Sequence, residues 1–257
     1  MREEHDPIII ACDFNNWEDI RRLAGALQGL VETMKVGLEA YLSLGPQVIH
    51  ELREAGFRVF GDLKFNDIPN TVSKATRAFI KNGVSMMTLH TCGGDAMLRA
   101  AVQASKEEAS LLGIPPPVML GVTILTSLNE QSACEIGWSK PIREQVLSMA
   151  RLAIASGLDG VVASAREAML LREELGKEPI IVTPGIRPAG SPAADQVRTA
   201  TPGEALSAGA DYLVIGRAVT DEADPKAALE SLRIEAGLPP YGNESGGKRP
   251  FSQKPRR

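Results

Sequence analysis

The chain has 257 residues, 44% of them hydrophobic, enough for a sizeable core, and a formal net charge of −4. Aromatic residues make up only 4%, which leaves little material for base-stacking platforms, and 28 Lys and Arg against 32 Asp and Glu exclude a global nucleic-acid footprint. Cys12, Cys92 and Cys134 form neither a disulfide framework nor a zinc pattern and suit a reducing compartment. No segment approaches the roughly 20 apolar residues of a membrane span, and the apolar run near the N-terminus is too short for a secretory signal. A cytoplasmic protein with neither membrane nor nucleic acid as partner is expected.

From residue 8 onward, short apolar runs rich in β-formers alternate with longer helical patterns. A strand at 8–12 precedes a helix at 17–30, and a strand at 33–36 precedes a helix at 38–55. The next pairs are 58–63 with 69–82, 85–89 with 96–111, and 118–122 with 141–155. The series closes with 160–163 and 165–175, 180–183 and 202–208, then 212–215 and 227–236. Gly56, Gly83, Gly157 and Gly209 stand between a helix and the next strand, where a C-cap glycine belongs. Eight such repeats predict a parallel sheet closed into a single-domain (β/α)8 TIM barrel over residues 1–237, with its active site at the C-terminal ends of the strands. An open doubly wound sheet is the alternative. Its Gly-x-Gly-x-x-Gly fingerprint is missing after the first strand, where Asp13-Phe14-Asn15-Asn16 stands. Residues 238–257 differ in character: Lys248, Arg249, Lys254, Arg256 and Arg257 face only Glu244, so this segment carries +4 and residues 1–237 carry −8. Low hydrophobicity makes it a solvated, disordered tail in expectation, rather than a nucleic-acid arm.

The strand ends carry the chemistry. Residues 59–71 pack Asp62, Lys64 and Asp67 close together at the end of an apolar strand, with Ile68-Pro69 opening the next helix. Side chains alternate along a strand, so Asp62 and Lys64 are expected side by side, costly to desolvate unless they pair with each other or a ligand. Lys35 lies in the second strand and Asp13 ends the first. Strand five leads into Thr123-Ile124-Leu125-Thr126-Ser127. The last two loops, Pro184-Gly185-Ile186-Arg187 and Ile215-Gly216-Arg217, combine glycine with guanidinium groups in the place where such barrels bind phosphate. Asp13, Asp62 and Asp67 could offer oxygen ligands to magnesium. The interleaved Lys35 and Lys64 compete for those carboxylates, however, so neither a metal nor a cofactor is expected. His90 reads as a rim or core histidine and Cys12 as a small core residue. Alternating Lys and Asp suit decarboxylation of an anionic substrate: a fixed carboxylate disfavours the departing one, and an ammonium stabilises and then protonates the carbon left behind.

The segment Asp62-Leu63-Lys64-Phe65-Asn66-Asp67-Ile68-Pro69-Asn70-Thr71 resembles the signature of the orotidine 5′-phosphate decarboxylase family. Ala11-Cys12-Asp13, Lys35-Val36-Gly37, His90-Thr91-Cys92-Gly93-Gly94, the 122–127 segment, Asp195-Gln196-Val197-Arg198 and the two phosphate loops resemble family segments in the same order, over residues 8 to about 235. The resemblance implies decarboxylation of orotidine 5′-phosphate to UMP and CO2, without metal or cofactor. It makes Lys64 the proton donor, sets Asp62 against the substrate carboxylate, and completes the array with Lys35 and Asp67. Asp67 and Thr71 would reach into the neighbouring subunit of a homodimer. Asp13 would bind the ribose and Thr126 the pyrimidine region. Gln196, Gly216 and Arg217 would hold the phosphate, with Pro184 and Arg187 on a loop that closes over it. Sister barrels that act on sugar phosphates as magnesium-dependent decarboxylases or aldolases share the Asp-x-Lys-x-x-Asp core and form the alternative; Ile68-Pro69-Asn70-Thr71 and Gln196 weigh against them. Cys12 replaces an aliphatic residue of the family pattern, and Pro115-Pro116-Pro117 stiffens one loop.

Overall fold

The computed structural model describes residues 5–190 and 199–240. Eight strands form a closed barrel: β1 (Ile8–Ala11), β2 (Thr33–Val36), β3 (Arg58–Phe65), β4 (Met86–His90), β5 (Val118–Val122), β6 (Gly160–Val162), β7 (Ile180–Thr183) and β8 (Tyr212–Ile215). Each is parallel to its neighbours, and β8 pairs back onto β1 with Ile9 opposite Val214. The alternation of elements therefore builds the barrel that it predicts. Among the described residues, no helix is long and apolar enough to cross a membrane.

The helices are α1 (Trp17–Leu27), α2 (Leu38–Leu44), α3 (Gln47–Glu54), α4 (Pro69–Lys81), α5 (Asp95–Leu112), α6 (Glu130–Glu135), α7 (Ile142–Ala155), α8 (Ala165–Leu175), α9 (Pro202–Ser207), α10 (Arg217–Thr220) and α11 (Pro225–Glu235). Their starts follow local chemistry. The Asn16 side chain accepts the Asp19 N–H, α8 and α9 begin with Ser164/Glu167 and Thr201/Glu204 capping boxes, and α4 places Pro69 where no N–H is needed. The expected 38–55 helix is broken in two. Gly45 turns the chain at φ +71° with its N–H bonded to the Tyr41 carbonyl, and Pro46, which lacks an N–H, restarts it.

Two apolar layers result. Ile9, Ala11, Phe60, Met86, Leu120, Val182, Tyr212 and Val214 fill the barrel interior. The larger layer, with Ile8, Ile10, Met34, Val36, Val59 and Met87 from the strands, packs the barrel wall against the helix ring. Cys12 belongs to this outer layer, its Sγ 3.6 Å from Met34 Sδ, and burial pushes its thiol up to about 12. It is the inert core thiol its position suggests. A buried ion pair, Arg233 to Asp6 at 2.9 Å, ties α11 to the segment entering β1.

Candidate active site

Strand alternation puts the next inward positions above the interior layer at the C-terminal mouth. Two residues beyond Ala11, Phe60, Val182 and Val214 come Asp13, Asp62, Pro184 and Gly216, and all four line a cavity of about 370 Å³. Lys35, Lys64, Thr126, Gly185, Arg187 and Arg217 line it too, among apolar walls that include Phe14, Val122 and Ile124. The size suits a small ligand. Nine of the residues singled out from sequence are thus brought together: Asp13, Lys35, Asp62, Lys64, Thr126, Pro184, Arg187, Gly216 and Arg217.

The charged floor is a chain of alternating sign. Lys35 Nζ lies 2.9 Å from Asp13 Oδ1 and 3.8 Å from Asp62 Oδ2, and Lys64 Nζ donates to Asp62 Oδ2 at 2.8 Å. Asp62 is 14% exposed and Lys35 10%, so both charges are largely desolvated and depend on one another. Burial alone would raise the Asp62 carboxyl. Lys35, Lys64 and the hydrogen bonds from Lys64 and Thr88 outweigh it and hold the group below the usual carboxylate range. Gly37 makes room for the array, because a Cβ there would come within 2.8 Å of Asp13 Oδ1 and 3.0 Å of Lys35 Nζ. His90 ends β4 half-buried; burial and the nearby Lys64 charge lower its pKa, partly offset by Asp62.

At the opposite wall, Arg187 and Arg217 form a cationic pair of arms. Burial lowers the Arg187 pKa, and repulsion from Arg217 lowers it further against the attraction of Asp221. An anion placed between the arms relieves that repulsion. Gly185 (φ +80°) and Gly216 leave the backbone open beside them. The Arg187 N–H is anchored on the Ala200 carbonyl at 3.0 Å.

Asp67 and Thr71 are not part of this cluster. Both are exposed, neither lines the cavity, and Asp67 Oδ1 accepts the N–H of Ile68. Gln196 lies outside the described residues. Asp13 and Asp62 each engage an ammonium group, and among the described residues no three His, Cys, Asp or Glu side chains come together as a metal set. One contributor escaped the sequence reading: Thr88, whose hydroxyl donates to Asp62 Oδ1 at 2.9 Å. Its signal was the alternation itself, since Met86 faces the interior and Thr88 is the next residue on that side.

Comparison with known proteins adds independent support. Residues 6–232 match the model of the orotidine 5′-phosphate decarboxylase / HUMPS family. An orotidine 5′-phosphate decarboxylase from Moorella thermoacetica is 48% identical over 231 residues, covering 90% of this chain and 92% of that protein. One from Vibrio campbellii is 46% identical over 225 residues, 88% of this chain and 95% of the relative. The crystal structure of orotidine 5′-phosphate decarboxylase from Lactobacillus acidophilus superposes with a TM-score of 0.79 at 36% identity, covering 91% of this chain and all of that one. Sequence identity at this level, sustained over the whole barrel and matched by the solved fold, means that the chain belongs to the orotidine 5′-phosphate decarboxylase / HUMPS family.

Proposed function

We propose that this protein is a carboxy-lyase that converts orotidine 5′-phosphate to UMP and CO2, the last step of pyrimidine nucleotide synthesis, using its own charge array. The observation that carries this reading is the Lys35–Asp62–Lys64 chain on the cavity floor, with Asp62 kept ionised among two ammonium groups. A substrate carboxylate seated against Asp62 is repelled in the ground state, and the repulsion disappears as CO2 departs. The carbon–carbon bond breaks, its electron pair stays on the pyrimidine carbon, and the Lys64 ammonium stabilises that charge. Lys64 then delivers its proton to the carbon, and solvent reprotonates the amine. Asp13, beside Lys35, takes the ribose hydroxyls, Thr126 the pyrimidine edge, and Arg217 with Gly216, Pro184, Arg187 and Gln196 the phosphate. The relatives at 44–48% identity, all orotidine 5′-phosphate decarboxylases, favour this substrate over a sugar phosphate. The test is the ultraviolet absorbance change of orotidine 5′-phosphate with purified protein in excess EDTA. Conversion to UMP is expected; magnesium-dependent turnover of a keto-sugar phosphate instead would sink the assignment.

The working form in this reading is a homodimer. Leu38, Leu42 and Ile68 are 53%, 78% and 66% exposed on α2 and the β3–α4 turn, beside exposed Asp67. Tyr41 of α2 meets Phe79 of α4 edge-on, with ring centroids 5.8 Å apart, so these elements present one apolar rim. A second copy on that rim would receive Asp67 and Thr71 into its own cavity, completing the array. Lys64→Ala and Asp67→Ala proteins, each inactive alone, are then expected to regain about a quarter of parental activity after subunit exchange, since random pairing gives half heterodimers with one intact site each. No recovery in a mixture shown to have exchanged subunits would place Asp67 outside the neighbouring site. Residues 1–237 serve as the catalytic domain and 238–257 as a basic tail, of which only 238–240 lie among the described residues. Exposed free thiols at Cys92 and Cys134 suit the cytoplasm.

A further inference from the structure

The β3–β4 pairing is irregular at one place only, and that place is the active site. Gly61 stands opposite Met87 and Phe65 opposite Leu89. Three residues of β3, Asp62, Leu63 and Lys64, are therefore matched by a single residue of β4, Thr88. Bulges of this kind re-aim side chains at the cost of ladder hydrogen bonds. Here the cost is visible in the backbone: Lys64 sits at φ +51°, alone among the described non-glycine residues in the left-handed region. A lysine held there is strained unless its surroundings over-determine it.

Thr88 supplies that determination. Its hydroxyl accepts the Lys64 backbone N–H at 3.0 Å and donates to Asp62 Oδ1 at 2.9 Å, while Lys64 Nζ donates to the other Asp62 oxygen at 2.8 Å. One oxygen thus closes a ring through the backbone of the lysine and the carboxylate of the aspartate. The side chain is 1% exposed, so water does not compete for either bond. The hydroxyl uses its single proton toward Asp62 and a lone pair toward Lys64, an assignment that leaves only one orientation.

We propose that Thr88 is a positioning residue for the decarboxylation: it locks the bulge that carries Lys64 and sets the carboxylate plane of Asp62 against which the substrate is placed. The inference rests on the function proposed above. It predicts a defect in turnover rather than in substrate binding, because Thr88 does not line the cavity and lies at the opposite end of the site from the phosphate arms. Thr88→Val removes the hydroxyl with little change in volume, and Thr88→Ser keeps it.

Three measurements on the full chain test this. Thr88→Val is expected to lose on the order of 10–100-fold in kcat, with KM and UMP affinity held within about threefold, as for a sub-ångström loss of alignment. Thr88→Ser should return kcat to within about tenfold of the parent through the retained hydroxyl. Hydrogen exchange at the Lys64 amide should accelerate in the valine variant and slow again in the serine variant. Parental kcat in a folded Thr88→Val protein would overturn the proposal, as would equal defects in both variants, which would indicate methyl packing. Should the parent itself fail to decarboxylate the substrate, the functional assignment falls with the catalytic role. The amide measurement still reads the contact in that case, and unchanged Lys64 exchange in the valine variant would overturn the lock as well.

Discussion

Lys64→Ala is expected to lower kcat by more than about 10⁴-fold, because it removes both the proton donor and the cation facing the developing carbanion, each worth roughly 10²–10⁴ on its own. That corresponds to more than about 5 kcal/mol of transition-state stabilisation. The fold should survive. Removing one partner of a buried ion pair costs about 3–5 kcal/mol when it leaves the other charge unpaired, but Asp62 keeps Lys35 at 3.8 Å and the Thr88 hydroxyl at 2.9 Å. Relief of the Lys64 backbone from φ +51° does not follow automatically, since alanine is no freer there than lysine. The variant also has a signature in pH. Asp62 titrates below its unfolded value in the parent, so its stabilising contribution is present above the ordinary carboxylate range and is lost as pH falls through the depressed folded value. Without Lys64 the depression shrinks, and acid unfolding should begin at higher pH than in the parent. Turnover by absorbance and acid titration by circular dichroism check the two halves separately. Near-parental kcat in the alanine variant would remove Lys64 from the role of donor.

Much of this site could be read from residue types and period alone, and the exceptions share a cause. All eight strands were legible because each is a short apolar run next to a helical pattern, and the barrel follows from their number. Asp62 and Lys64 were expected side by side on a regular strand. They are neighbours, but through a bulge and a left-handed lysine that no pattern in Leu63-Lys64-Phe65 announces. Thr88 was missed for the same reason: its importance comes from facing three residues across the sheet, a matter of register rather than of its own segment. The break at Gly45-Pro46 was written plainly in the sequence, yet apolar residues continue on both sides of it: α3 buries Val48, Ile49 and Leu52, whereas α2 buries only Ala40 and leaves Leu38 and Leu42 exposed. Helices α6 and α10 span six and four residues, too few to establish a period. Asp67 and Thr71 are legible as motif residues, but a single chain leaves them exposed at the rim. In the proposed homodimer their use depends on a second copy, and one chain's periodicity carries no information about that.

Arg217→Ala should weaken binding of orotidine 5′-phosphate by about 2–5 kcal/mol, the range for truncating one side of a desolvated charge pair, or about 30-fold to several thousandfold in kcat/KM. Arg217 is exposed in the open mouth, and in the proposed complex an anion held between it and Arg187 would bury it. Its contribution therefore belongs to the complex, and the free protein should melt at nearly the parental temperature. In the proposed complex the phosphate lies at the β7–β8 side of the cavity, away from the carbon that loses CO2, whereas Lys64 projects from β3. Binding energy gathered at that distance accelerates the reaction only if it is used to seat the substrate carboxylate against Asp62, where the two charges repel. Two substrates separate these contributions. With orotidine 5′-phosphate the loss should be large. With orotidine, which lacks the phosphate, the same substitution should change kcat/KM by less than about threefold, because the guanidinium has nothing to grip. A comparable loss on both substrates would mean that Arg217 organises the β8–α10 turn rather than the ligand. A loss confined to the phosphorylated one ties the remote cation directly to the strained pairing of carboxylates on the cavity floor.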